Sequence, residues 1–149
     1  MNGQQNVALV QQAYADYGRG DFDNLLARMA AQIDWEIPDV PGLSFTGKRQ
    51  GCDQVREYFQ LANEELGVRQ FTPKEFIAQD NKVVVLGYGA WTAKHTGLDF
   101  ESDWVHVFTI EDGRIAAFRE FMDGHRAAEA FRCYSRANGA APTVDRAIS

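Results

Sequence analysis

The sequence predicts an α+β fold in which helices cover one face of a curved antiparallel sheet. Apolar residues recur at helical spacing through most of the first 66 positions. Between residues 68 and 122 they instead form four apolar, β-branched and aromatic runs separated by turn chemistry. The last two runs are joined by Glu111-Asp112-Gly113, a strong local signature of an antiparallel hairpin. Helices followed by hairpin-linked strands indicate an α+β domain.

The N-terminal segments supply the predicted helices. Residues 4–17 form a first helix, which the glycines at positions 18 and 20 end, and Asp21 caps a second helix over the apolar positions up to Met29. Alternation over residues 33–37 predicts a short strand that stops at Pro38. The segment from 38 to 51, rich in proline and glycine, is expected to be loop, and residues 52–66 a third helix that ends at Gly67.

The second half of the chain supplies the predicted meander. Its four strands cover residues 68–79, 82–94, 100–110 and 114–122. A further helical turn or two should begin at Asp123-Gly124 and run through Phe131. No repeat or linker is found, so we expect one domain over residues 1–133 and a loose tail over residues 134–149.

Composition narrows the function classes. The chain has 149 residues, a net charge of −6 and a pI near 5.0, which argues against binding to nucleic acid or to an anionic membrane surface. Cys52 and Cys133 have no zinc-ligand spacing, which favours a reducing cytoplasm. The first residues do not have the pattern of a signal peptide, and no apolar run is long enough to span a bilayer.

The element order and several local motifs resemble a known family. The motifs are residues 17–22, 33–35, 51, 56–59 and 83–87 and the hairpin of residues 103–123. Together they resemble the SnoaL-like, ketosteroid-isomerase-related group of the NTF2-like superfamily, over residues 4–133. The resemblance implies an NTF2-like cone with helices packed on the concave sheet face, a pocket for a small hydrophobic molecule, and a homodimer. It does not imply one reaction, because this fold hosts isomerases, cyclases, hydrolases, dehydratases and non-enzymatic carriers.

Period-two parity then predicts which side chains enter the cone. In the family's pattern the inward face of the penultimate strand holds Trp104, His106 and Phe108. The last strand contributes Ala116, Phe118, Glu120 and Met122 inward, and leaves Arg119 and Phe121 outward. The preceding strand is expected to pair Trp91 with about Trp104. Tyr17 and Tyr58 take the inward positions on the helices, and Trp35 joins the predicted substrate wall.

His106 and Glu120 are thus expected to share an apolar surface. Burial favours a protonated carboxylic acid and a nearby imidazole can hold a proton, so this pair suits proton transfer to a small organic substrate. The resemblance to polyketide cyclases implies Glu120 as general acid/base and His106 as the orienting or charge-stabilising group, with Tyr17 or Tyr58 donating to an oxyanion. The alternative is a structural hydrogen bond in a non-catalytic ligand-binding or dimeric interaction module.

Several other positions qualify these expectations. Steroid isomerase activity is not expected, because Ile37, Ala13 and His106 stand where those enzymes carry their base, their oxyanion tyrosine and their second acid. His95, His106 and His125 share no face and no ligand spacing, so neither a metal site nor another cofactor is predicted. Asp123 is either a site residue or a helix N-cap, and the outward Arg119 should pair with an acid or lie at a dimer contact.

Overall fold

The computed structural model describes residues 2–40 and 42–137 of the chain. In chain order its elements are α1 (Gly3–Gly18), α2 (Phe22–Ala27), β1 (Met29–Ile37), β2 (Gly47–Gln50), α3 (Cys52–Glu65), β3 (Leu66–Gln79), β4 (Lys82–Ala93), β5 (Leu98–Glu111), β6 (Arg114–Met122) and α4 (Gly124–Ala137). This mixed architecture confirms the predicted α+β class, and most helix and strand ends lie within a few residues of the predicted ones. No helix among the described residues is both long and apolar enough to cross a membrane.

The strands form one six-stranded sheet in the order β2-β1-β6-β5-β4-β3. The meander from β3 to β6 is antiparallel, as predicted from its turns. β1 departs from the antiparallel pattern, because it lies parallel to β6. These two strands are far apart in the sequence, and no local turn signal could reveal their pairing.

The segment predicted to be loop contains strand β2. Its residues pair antiparallel with the end of β1, from Asp34 opposite Gln50 to Ile37 opposite Gly47. The prediction of loop was wrong here because a four-residue edge strand with charged side chains has too short a pattern to detect. The consequence is that residues 38–40 and 42–46 form a tight connection between β1 and β2.

Three further boundaries differ from the sequence expectation. Strand β1 begins at Met29, four residues before the predicted start and at a residue assigned to the second helix. Gly67 does not separate helix from strand, since α3 passes directly into β3 and Gly67 already pairs with Thr92 of β4. Helix α4 continues to Ala137, so it extends beyond the expected domain boundary at residue 133. The rest of the expected tail, residues 138–149, lies outside the described residues.

Helix α1 is anchored at both of its ends. Asn2 forms a capping box with Gln5 at the N-terminus. Near the C-terminus the fully buried carboxylate of Asp16 accepts hydrogen bonds from Arg19 and from Arg28 Nε, the latter at 2.6 Å. A buried carboxylate is tolerated only when it is paired in this way. These contacts fix the position of the helix, and with it the side chains that α1 directs toward the sheet.

Candidate active site

The structure brings His106 and Glu120 together on one face of the sheet. They are directly opposite each other in the β5–β6 ladder, and the Nε2 atom of His106 lies 2.9 Å from Oε1 of Glu120. His106 is 4% exposed, and the Glu120 side chain 11%. The neighbouring pair Phe108 and Phe118 lies on the same face. A polar pair is therefore held in apolar surroundings.

An irregularity in the β5–β6 ladder sets this register. Glu111 and Ile110 pair with Arg114 and Ile115, but Thr109 pairs with Ala117, so β6 holds one extra residue at that point. As a result Ile115 is buried and lines the space beside His106. Ala116, which was expected to point inward, is the residue inserted by this bulge, and it lines neither of the two cavities described below.

Helix α1 adds a third member to the pair. The hydroxyl of Tyr14 lies 2.7 Å from Nδ1 of His106, and the two rings are stacked. Burial first, and then the charge of Glu120, raise the pKa of Tyr14 far above its ordinary value, so its hydroxyl keeps the proton. We therefore assign the Tyr14 O–H as donor to Nδ1 and the His106 Nε2–H as donor to the Glu120 carboxylate.

Sequence reasoning did not identify Tyr14 as a functional residue. The available signal was its position one helical turn before Tyr17 on the same aromatic-bearing face of α1. That spacing places both tyrosines over the sheet but does not show which one reaches His106.

Two adjoining cavities meet at Glu120. The first has a volume of about 70 Å³ and touches both members of the pair. Most of the predicted site residues line it, namely Tyr17, Trp35, Tyr58, His106, Phe108, Phe118 and Glu120. The second cavity also measures about 70 Å³ and lies beside residues 37–40 and 42–46 and helix α4. The carboxylate of Glu120 thus belongs to a wall that the two cavities share.

The two remaining predicted site tryptophans, Trp91 and Trp104, have other partners in the β4–β5 ladder than expected. Trp104 is opposite Gly87, and Trp91 is opposite Phe100, so the expected pairing of Trp91 with Trp104 was wrong by four residues. A Cβ atom at Gly87 would lie 2.2 Å from the Trp104 ring, which shows that the ring fills the space above the glycine. The β4–β5 register therefore depends on the fit of the Trp104 ring over Gly87, which lacks a side chain. Turn residues in the sequence give no information about this fit.

Trp91 and Trp104 consequently differ in their surroundings. Trp91 faces the predicted side of the sheet but lines the second cavity. Trp104 is 1% exposed and stacks on His106 with ring centroids 4.0 Å apart, and it lines neither of the two cavities. Trp104 therefore packs against the imidazole ring of His106, and its role in substrate binding stays a prediction.

Two tyrosines in the shared wall remain proton donors. Burial, followed by the negative charge of Glu120, raises the pKa of Tyr17 to about 12. The same two causes, in that order, raise the pKa of Tyr58 well above its ordinary value. Both hydroxyl groups therefore keep their protons at neutral pH and are available to donate a hydrogen bond. The shared wall offers one carboxylate and two hydroxyl donors to a bound molecule.

Comparison with known proteins places the chain in a family. The profile of the SnoaL-like domain matches residues 10–118. The chain belongs to the SnoaL-like domain family. An NTF2-like protein from Burkholderia xenovorans LB400 is similar at 34% identity with a TM-score of 0.79, over 87% of this chain and 98% of that one. The comparison with curated proteins gave no significant match.

Two further solved structures share the fold of this SnoaL-like chain. An NTF2-like protein of unknown function from Burkholderia pseudomallei K96243 has 26% identity and a TM-score of 0.77, over 87% of this chain and 98% of that chain. TerC, co-crystallised with polyporic acid, has 24% identity and a TM-score of 0.77, over 86% of this chain and 98% of its own. The match of the family profile includes Tyr14 and His106 but ends two residues before Glu120.

Other charged residues of the SnoaL-like domain lie outside this site. Asp123 accepts hydrogen bonds from the backbone N–H groups of His125 and Arg126, so it caps α4. Arg119 points away from the cavities, and its Nη2 atom lies 3.8 Å from Oε2 of Glu36. His95 lies in the turn after β4 and is exposed. Among the described residues no group of three or more His, Cys, Asp or Glu side chains is arranged to hold a metal ion.

Proposed function

We propose that this protein is a cofactor-free acid/base enzyme of isomerase, cyclase or hydrolase type, and that it acts on a small hydrophobic carbonyl or polyketide-like compound. The observation that carries the proposal is the position of Glu120. Its carboxylate is held by His106 in a cavity wall that is otherwise aromatic and aliphatic, beside Tyr17 and Tyr58. Proton acceptors and hydroxyl donors that converge on one apolar cavity favour chemistry on a carbonyl compound.

The proposed reaction begins with proton removal next to the carbonyl group. Glu120 accepts a proton from the α-carbon, and the electron pair of that C–H bond moves onto the carbonyl oxygen to form an enolate. The O–H of Tyr17 or Tyr58 donates to this oxygen and stabilises its charge. Glu120 then returns the proton to carbon, or the enolate carbon attacks a second carbonyl group. Neither route requires an oxidant or a reductant.

His106 and Tyr14 have positioning roles in this proposal. The Nε2–H of His106 holds one carboxylate oxygen of Glu120 and leaves the other free to accept the proton. The Tyr14 hydroxyl donates a hydrogen bond to Nδ1 of the same ring, which keeps the imidazole in one tautomer and one orientation. Trp104 packs against the imidazole ring and limits its rotation.

The test is exchange of the α-protons of acetophenone in D₂O, followed by NMR. The wild-type protein should accelerate deuterium incorporation, and Glu120→Gln should lower that rate by about 10²-fold or more, because the amide cannot accept the proton. Glu111→Gln makes the same chemical change at an exposed position of β5 and should leave the rate unaltered.

The second candidate function is a non-catalytic ligand-binding or dimeric interaction module. It is favoured by the observation that the His106–Glu120 pair is already a satisfied hydrogen bond. Acetophenone exchange that is equally fast in wild type and in Glu120→Gln would select this function over the enzyme. The homodimer and the cytoplasmic location stay predictions.

A further inference from the structure

We infer that the site takes a ketone with two apolar groups, one in each cavity, whose carbonyl lies at the shared wall, and that the second cavity with Trp91 determines which second group is accepted. This inference rests on the proposed function, because it names the substrate class of the same site.

The first argument is the composition of the shared wall. Four residues line both cavities, namely Tyr17, Tyr58, Phe71 and Glu120. Three of them carry the donors and the acceptor that a reacting carbonyl group needs. The residues that line only one of the cavities are mainly apolar, with Leu25, Met29 and Phe108 in the first and Leu43, Trp91 and Phe100 in the second. A polar centre between two apolar ends matches a molecule of the same pattern.

The second argument is size. Each cavity has a volume of about 70 Å³. Small-molecule pockets usually measure roughly 300 Å³ or more, so neither cavity alone holds more than a compact group. A larger ligand would therefore have to occupy both cavities and pass the four residues that line both of them. The centre of such a ligand would lie beside Glu120.

The third argument is that the wall of the second cavity is preformed. The connection between β1 and β2 is closed by Thr46, whose hydroxyl accepts from the backbone N–H of Val40 at 3.1 Å and lies 3.0 Å from the carbonyl oxygen of Leu43. Val40 and Leu43 are buried against the core. Trp91 also lines this cavity and is stacked on Phe100, with ring centroids 5.4 Å apart. Such a rigid apolar wall selects ligands by shape.

Benzophenone tests the inference directly, since it is a carbonyl group between two phenyl rings. Acetophenone, with one phenyl ring, is the matched control probe. Trp35 lines only the first cavity and Trp91 only the second, so their indole N–H signals in an NMR titration report the two cavities separately. We expect saturating benzophenone to shift both signals. A shift of only one signal, or of neither, overturns the inference.

A pair of matched substitutions provides the second readout. Ala13 lines the first cavity and Ala62 the second, and both lie on helices, so Ala13→Leu and Ala62→Leu each fill one cavity. Each should weaken benzophenone binding by about tenfold or more, because three added carbon atoms overpack its site. Acetophenone can use the remaining cavity and should lose less than about threefold in either variant. Equal losses for the two probes contradict the inference.

The two proposals can fail separately. If acetophenone exchanges its α-protons through Glu120 but benzophenone shifts only one indole signal, the proposed function holds and the two-cavity ligand is wrong. If benzophenone shifts both signals but no exchange depends on Glu120, the two-cavity ligand holds and the enzyme is wrong. Photocrosslinking of benzophenone to the wild-type protein adds a readout without substitutions. The excited carbonyl oxygen takes a hydrogen from a C–H bond and the carbonyl carbon forms the new C–C bond, so we expect labelled peptides from the shared wall, and labels elsewhere contradict the inference.

Discussion

Replacing Tyr14 with phenylalanine removes one hydroxyl group and keeps the ring. The ring contacts with Phe76, Phe108 and Trp104, at centroid distances of 5.9, 5.8 and 6.0 Å, do not depend on that hydroxyl. What is lost is the hydrogen bond to Nδ1 of His106. Because His106 is 4% exposed, water does not readily replace the lost donor.

The expected cost follows from this unsatisfied nitrogen. Leaving a buried acceptor without its partner destabilises a protein by about 1–3 kcal/mol, so Tyr14→Phe should lower the free energy of unfolding in urea by that amount. A ¹⁵N NMR measurement supplies the second readout. The Nδ1 signal of His106 should move as its hydrogen bond disappears, while Nε2 stays protonated against Glu120.

Tyr17→Phe is the matched control, because it removes a hydroxyl from the next turn of the same helix without touching His106. It should leave the Nδ1 signal in place. If Tyr14→Phe changes neither the unfolding free energy nor the Nδ1 signal, the hydrogen-bonded chain from Tyr14 to Glu120 is wrong, and with it the tautomer that we assign to His106.

Three further perturbations test other parts of the molecule. Gly87→Ala should lower the free energy of unfolding, measured by heat or urea, by about 1–3 kcal/mol, because the new Cβ would overlap the Trp104 ring. Gly18→Ala is the control: a Cβ there would have no atom within 4 Å, so stability should change by less than about 1 kcal/mol. Burial raises the pKa of Tyr17 from 10.0 to about 12, so the stability gained by keeping its hydroxyl protonated is complete below pH 10 and is lost as the pH rises toward 12. In urea unfolding, the free energy of unfolding of Tyr17→Phe should therefore fall less over this pH range than that of the wild type. Phe121 is 44% exposed on the outer sheet face, where the predicted homodimer would form. If that dimer exists, Phe121→Glu should sediment as a monomer. A wild-type protein that sediments as a monomer would contradict the dimer.

The local patterns of the sequence predicted the elements well. Period-two alternation identifies the strands of the meander, and the family's parity places His106 and Glu120 on one face. Asp21 accepts from the backbone N–H of Asn24, so its capping role, which needs only a few adjacent residues, was also predicted correctly. These features depend on neighbours in the sequence.

The features that were missed depend on distant contacts. Trp91 was given the wrong partner because the β4–β5 register follows the fit of the Trp104 ring over Gly87, which cannot be read from either strand alone. Tyr14 was overlooked because its partner lies 92 residues away in the sequence. The second cavity is lined by residues that range from Tyr17 to Ala127 along the chain, so no local pattern reveals it.

The single extra residue in β6 has a consequence for the charge at the centre of the site. The turn at Asp112-Gly113 joins Glu111 directly to Arg114, and with no bulge the same ladder would set Arg119 opposite His106. Because β6 has one residue more than β5 between the turn and the cavity, Glu120 lies opposite His106 instead. Deleting Ala116 would remove the bulge and leave Glu120 opposite His106. Loss of the bulge with Ala116 retained would instead set the Arg119 cation opposite His106, so the bulge decides which charge faces the imidazole.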